Sequence, residues 1–227
     1  MTARICVSIL PKNNVEALSL IEKAEKAKAD FIEVRLDCLE ISRKISDLSA
    51  STKIPLIATN KLQSEKGCFA GTEVERQQTL LNDAKNGFEY VDVDLSSPKH
   101  KETINQLMQL GTKTIVSYHK FDGVLSVSAM EKVLDEEIAS GASICKIVTT
   151  AKQVEDNLPA LSFVSFASSK AKLVCFCMGE HGKISRLLSP MFGAFFTFAS
   201  IEQGSETAAW QMSISEMRAA YGLLGIK

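Results

Sequence analysis

The chain has 227 residues, 45% of them hydrophobic and 23% charged, with a formal net charge of -1. These values exclude a disordered tail, a fibrous repeat and a membrane bundle, and a chain of this length buries enough surface to fold without disulfides or metal. Lys+Arg 26 balances Asp+Glu 27, so the overall charge gives no case for a nucleic-acid or anionic-membrane partner.

Short runs rich in Val, Ile, Phe and Cys alternate with amphipathic stretches along the chain. Strands are predicted over 5–10, 31–36, 54–59, 90–95, 114–118, 144–148, 173–178 and 195–198, each near the length of a buried strand. Between them, 3.6-residue periodicity predicts helices over 14–29, 73–86, 101–110, 126–140 and 153–168, with a closing helix over 211–224. Gly87, Gly111 and Gly141 fall just past three of these, where helices end. Alternating strands and helices imply a parallel sheet covered by helices. Eight strands at this spacing fit a single α/β domain over residues 1–227, a (β/α)8 TIM barrel. An open doubly wound sheet would carry a glycine-rich first turn, whereas the first strand here runs out through Leu10-Pro11-Lys12.

Six cysteines stand at 6, 38, 68, 145, 175 and 177, five of them beside apolar residues. Without CxxC spacing they read as free thiols acting as small buried hydrophobes. Cys175, Cys177 and His181 invite a metal reading, but two cysteines on one strand face lack a second ligand pair, so no metal is expected. The N-terminal apolar run is too short for a signal peptide and no stretch is long enough to cross a bilayer. A cytoplasmic, reducing setting and no membrane partner are the expectation.

Several strands are polar on one face. Glu33 and Arg35 oppose Ile32, Val34 and Leu36; Asp92 and Asp94 oppose two valines; His119 closes the fifth strand; Lys146 sits inside the sixth. In a barrel these faces point inward and converge at the C-terminal mouth, where charges must pair or do chemistry. Glu33 and Arg35 also fit a structural ion pair, Asp92 and Asp94 fit supporting partners, and His119 alone fits a structural role. Lys146 has the weakest structural explanation, short of a rim position with its amine turned to solvent, because buried lysine is rare. Burial lowers a lysine pKa, giving a neutral amine able to form a Schiff base with a carbonyl. The glycine-punctuated segment 178–186 reads as a polar loop in which Arg186 either clamps a carboxylate or is simply solvated.

Together, Glu-Val-Arg-Leu-Asp at 33–37, Ser-Tyr-His at 117–119, Cys-Lys-Ile at 145–147 and Met-Gly-x-x-Gly-x-x-Ser-Arg at 178–186 resemble the type I 3-dehydroquinate dehydratase family. The resemblance runs from Ile5 to Gln211. It implies a hydro-lyase of the shikimate pathway that converts 3-dehydroquinate to 3-dehydroshikimate through a lysine imine, without metal or organic cofactor. By the same resemblance Lys146 is the Schiff-base lysine, His119 the general base and Glu65 the acid that orients it. Ser8, Glu33, Arg35, Met178, Arg186 and Phe198 become substrate-contacting or pocket-lining groups, and Thr207 and Gln211 belong to a lid. The chain departs from the family pattern at Lys61, where arginine is usual and a point charge would serve the substrate instead, at Lys120, and at Trp210, where glycine is usual. A homodimer is the assembly the resemblance suggests. The buried lysine alone also suits an imine-forming aldolase barrel, and a non-catalytic barrel would tolerate the three departures; the four motifs together favour the dehydratase.

Overall fold

The computed structural model describes residues 2–39 and 45–226. Eight parallel strands, β1 (Ile5–Ile9), β2 (Phe31–Arg35), β3 (Leu56–Thr59), β4 (Tyr90–Asp94), β5 (Lys113–His119), β6 (Ile144–Thr150), β7 (Leu173–Met178) and β8 (Thr197–Ala199), alternate with helices. These are α1 (Asn14–Lys26), α2 (Ile45–Ala50), α3 (Glu73–Lys85), α4 (His100–Gln109), α5 (Val127–Ala139), α6 (Asn157–Ala167), α7 (Lys183–Leu188) and α8 (Ile214–Leu223). The ladder runs β7-β6-β5-β4-β3-β2-β1-β8, and Phe195 N–H donates to the Leu173 carbonyl at 2.7 Å across the remaining seam. The result is a nearly closed (β/α)8 barrel, as the alternation predicts.

Helix ends follow local chemistry. Asn13, Thr72, Ser126 and Ser213 cap α1, α3, α5 and α8 with side-chain oxygens, and Thr72–Glu75 and Ser213–Glu216 complete capping boxes. Gly87, Gly111 and Gly141 adopt φ of 95°, 78° and 90°, which a side chain resists. Two helices lie outside the predicted set. One is α2; the other is α7, which occupies the segment expected to be loop.

Strand parity sorts the interior. One face of the strands packs on the helices through residues such as Val7, Val34, Val91, Ile147 and Cys175. The other fills the barrel: Cys6, Phe31, Ile57, Tyr90, Ile115, Ile144, Val174 and Phe196 form its floor. Phe31 lies 4.8 Å from Phe196 and 6.0 Å from Tyr90, centroid to centroid. One or two pleats further along the same faces stand Ser8, Glu33, Asp92, Ser117 and Lys146, all buried.

The cysteines depart from expectation. Cys6, Cys145, Cys175 and Cys177 are buried thiols, but Cys38 and Cys68 are joined in a disulfide with Cα atoms 5.3 Å apart. Parallel pairing of Arg35 with Thr59 delivers the chain leaving β2 and the chain leaving β3 to one place, a proximity that spacing along the sequence does not reveal.

Candidate active site

The C-terminal mouth encloses a cavity of about 460 Å³. It is lined by every predicted site residue except Ser8: Glu33, Arg35, Lys61, Glu65, His119, Lys146, Met178, Arg186, Phe198, Thr207 and Gln211. Ser8 lies beneath, its hydroxyl hydrogen-bonded to the Glu33 carboxylate.

Lys146 rises from β6 in register with Ser117 of β5 and Val174 of β7. Its Nζ donates to Asp92 Oδ2 at 3.0 Å, lies 3.5 Å from Glu33 Oε1, and sits 4.5 Å over the Phe198 ring. Burial alone would lower its pKa, but the Asp92 and Glu33 carboxylates outweigh burial and hold it above the ordinary lysine value. The resting amine is therefore a charged ammonium, not the neutral amine expected from burial alone. Glu33 is fixed in turn by the Ser8 and Thr59 hydroxyls. Arg35 does not pair with Glu33; it makes a bidentate ion pair with Asp37 at 2.9 and 2.8 Å.

Asp92 is the pivot. Its Oδ1 accepts from Lys61 Nζ at 2.9 Å and from Ser117 Oγ at 2.7 Å, while its Oδ2 faces Lys146. Burial would raise the Asp92 pKa; the two lysines reverse the sign and depress it. Lys61 also donates to Asp94 Oδ2 at 2.6 Å and Ser117 Oγ at 3.2 Å. All three of its N–H donors are thus engaged by protein oxygens, which leaves none for the substrate-donor role expected of it. Its pKa is raised because these carboxylates overcome its burial.

His119 ends β5, with Nδ1 3.8 Å from Asp94 Oδ1 and its ring stacked on Phe121. Burial pushes its pKa below 6.5, a shift that Asp94 opposes and Lys61 and Lys146 reinforce; the imidazole is neutral near pH 7. Glu65 sits in a 3-10 turn, Gln63–Glu65, beside Asp94. Burial first, and then the Asp94 charge, raise its pKa to about 7. The carboxylate that reaches towards the His119 ring is Asp94, and Glu65 lines the same cavity. The Glu65 loop folds back on Lys61: Phe69 N–H donates to the Lys61 carbonyl at 3.1 Å, and a Cβ on Gly67 would lie 2.0 Å from that oxygen, so only glycine fits. Sequence reasoning also missed Arg76 of α3, which bonds the Asn60 carbonyl at 3.0 Å and lies 3.7 Å from Asp94. Its place in a surface-like helix pattern hid it.

Arg186 is placed by α7. A Cβ at Gly182 would meet the Cys177 carbonyl at 2.4 Å, so glycine lets α7 hug β7. Ser185 Oγ accepts from Cys177 N–H and Asn157 Oδ1 from Ser185 N–H. The guanidinium lies 4.4 Å over the Phe176 ring and 3.4 Å from the Phe198 carbonyl, with no carboxylate partner among the described residues. Burial lowers its pKa to about 10, so it stays charged. Over the mouth, the Thr207 amide and hydroxyl donate to Gln211 Oε1 at 3.1 and 3.2 Å. Trp210 holds φ of 65° and its indole lies 5.5 Å from Lys183 Nζ.

Among the described residues, the one group with metal-ligand composition is Asp37, Cys38 and Cys68. Its sulfurs are bonded to each other, and the Asp37 carboxylate already accepts from Arg35 and from the Cys68 amide. Cys175 and Cys177 face the helix layer, away from the cavity.

A buried amine, a neutral imidazole and a charged guanidinium lacking a carboxylate partner in one cavity make an arrangement whose relatives are known. Residues 5–227 match the family model described as type I 3-dehydroquinase. The chain belongs to that family. It is 33% identical over 221 residues to the 3-dehydroquinate dehydratase of Desulfotalea psychrophila, covering 96% of each chain. Identity to the Methanococcus maripaludis enzyme of the same name is 31% over 216 residues, with 94% of this chain and 96% of the relative covered. The solved 3-dehydroquinate dehydratase of Geobacillus kaustophilus superposes with a TM-score of 0.89 at 24% identity, over 99% of this chain and 92% of that one, which supports the barrel. Membership of the type I 3-dehydroquinase family makes the chain a hydro-lyase of the shikimate pathway acting on a small molecule, 3-dehydroquinate.

Proposed function

We propose that the dehydration runs through a covalent imine on Lys146. The observation that carries this reading is the pairing of a buried amine with a buried arginine, Arg186, that has no carboxylate partner among the described residues, in one cavity at the barrel mouth. A ketone-bearing ring with a carboxylate matches both groups. Lys146 Nζ attacks the ketone carbon and water leaves, giving a protonated imine that serves as an electron sink. His119 takes the C2 proton, the enamine expels the C1 hydroxyl, and the imidazolium returns the proton to that leaving oxygen as water. Hydrolysis of the imine frees 3-dehydroshikimate and Lys146.

The Lys146 ammonium must lose a proton first. Neutral His119 and Glu65, which titrates at about 7, suit that transfer at neutral pH. Arg186 holds the substrate carboxylate. Glu33 and Arg35 take hydroxyls, Met178 and Phe198 pack on the ring, and Ser8 steadies Glu33. Lys61 neutralises Asp92 and Asp94, and Thr207 with Gln211 closes the mouth. No cofactor enters the scheme. We place the enzyme in the cytoplasm; no helix among the described residues is long and apolar enough to cross a membrane.

Turnover is tested by adding 3-dehydroquinate and following the conjugated enone in the ultraviolet. Borohydride added during turnover should fix one substrate-derived mass on Lys146. Lys146→Ala should lose both turnover and adduct; an adduct retained in that variant assigns the imine elsewhere. His119→Ala should keep the adduct and lose the elimination.

A further inference from the structure

The disulfide lies on the rim of the cavity, between two segments that each deliver a site residue. Cys38 follows Arg35 and Asp37 out of β2; Cys68 closes the loop that carries Glu65. The two segments also meet through Asp37, whose carboxylate accepts both the Arg35 guanidinium and the Cys68 amide, the latter at 2.9 Å. Further along the same loop, Lys66 caps the Phe121 ring at 4.6 Å, and Phe121 stacks on His119. Cys68 is exposed and Cys38 half-buried, so small thiols can reach the bond. The other four cysteines are buried thiols, which singles out this pair.

We propose that Cys38 and Cys68 form a redox-modification site, a reversible disulfide that locks the Glu65 loop against the Arg35 turn and thereby sets the turnover of the enzyme. This deepens the reading of the cavity given above and rests on it for the roles of Glu65 and Arg35. Formation is thiol–disulfide exchange with a low-molecular-weight disulfide such as oxidised glutathione. Two protein thiols lose two protons and two electrons, the small disulfide is reduced to two thiols, and one sulfur–sulfur bond replaces another. In the reduced state the loop keeps its backbone bonds to Lys61 but loses its covalent tie. Positioning of the reacting groups then loosens, and a misplacement of about 1 Å costs on the order of a hundredfold in rate.

The test equilibrates the full chain in graded mixtures of reduced and oxidised glutathione. Intact mass, with thiols alkylated, should show one pair of cysteines closing, mapped to 38 and 68. Turnover of 3-dehydroquinate should fall by up to about a hundredfold on reduction, with the same midpoint as the mass change. Trypsin cleavage after Lys66 should accelerate across that midpoint. Cys38→Ser with Cys68→Ser should turn over like the reduced parent at every glutathione ratio.

Three results overturn the proposal: no mass change; a mass change with activity and cleavage flat through the midpoint; or a zinc ion, not a disulfide, released from the two sulfurs. Failure of the dehydratase reading is distinguishable. The oxidised protein would then show no enone and no borohydride adduct, while the mass and cleavage readouts still report whether the bond closes the loop.

Discussion

At the scale of single residues, one carboxylate serves two lysines. Asp92 faces Lys61 with one oxygen and Lys146 with the other, so the charge of Lys61 tempers the hold of Asp92 on the nucleophile. Lys61 also acts directly to lower the Lys146 pKa, as like charges do. Lys61→Met should therefore leave Asp92 and Asp94 facing each other and destabilise the fold by about 3–5 kcal/mol, read by urea denaturation. The same variant should raise the Lys146 pKa, so that borohydride trapping needs a higher pH than in the parent. Unchanged trapping would mean that Lys61 acts elsewhere. The residues of this network were legible as polar positions on otherwise apolar strands, because parity in a barrel strand declares which side chains point inward. Their pairings were not. Arg35 chose Asp37 over Glu33 two residues away, and Lys61 turned towards the acids, since pairing depends on how strands are staggered around the barrel.

At the scale of elements, α5 carries an ionisable group into the wall. Glu137 is fully buried against β6, and neither carboxyl oxygen reaches hydrogen-bond geometry. Burial raises its pKa well above the ordinary value, with the Cys145 thiol and the Lys146 backbone opposing. A raised carboxyl pKa means that the folded state prefers the protonated form. Its stabilising share is complete below the unfolded value, about 4.3, and fades as pH rises towards the raised one. Glu137→Leu should gain stability over the parent by roughly 1–3 kcal/mol at pH 8 and lose that advantage near pH 4. Parallel urea curves at the two pH values would refute it. The helix itself was evident from periodicity, but Glu137 was not singled out as a buried acid. Helix α7 was hidden for a different reason: six residues give too few turns for periodicity to show, and Gly179 and Gly182 just before it suggest a loop until the close approach of Gly182 to Cys177 of β7 is seen.

For the whole molecule, the inner network sets the pH limits of the fold. Asp92 and Asp94 are depressed by the lysines beside them despite their burial. Their contribution is present above the unfolded value of about 3.9 and is lost as pH falls through the depressed ones. Lys61 and Lys146 are raised, so their contribution is present below about 10.4 and is lost as pH climbs through the raised values. Stability from this network should hold between those limits and decline on both sides, and Lys61→Met should shrink both shoulders in a urea series from acid to alkali. A flat response in the variant's acid shoulder would show that Asp92 and Asp94 contribute nothing there.

The barrel was legible from strand count and alternation, since eight short apolar runs joined by helices leave few ways to bury both faces of a parallel sheet. The disulfide was not, because it joins two loops that only the closed sheet brings together. The aromatic floor beneath Lys146 has one more effect. With Phe31, Tyr90 and Phe196 stoppering the opposite end, the described residues form a tube that is blind below and open at the C-terminal mouth. On the proposed mechanism substrate, product and the expelled water share that mouth, which the segment from Thr207 to Gln211 helps to line.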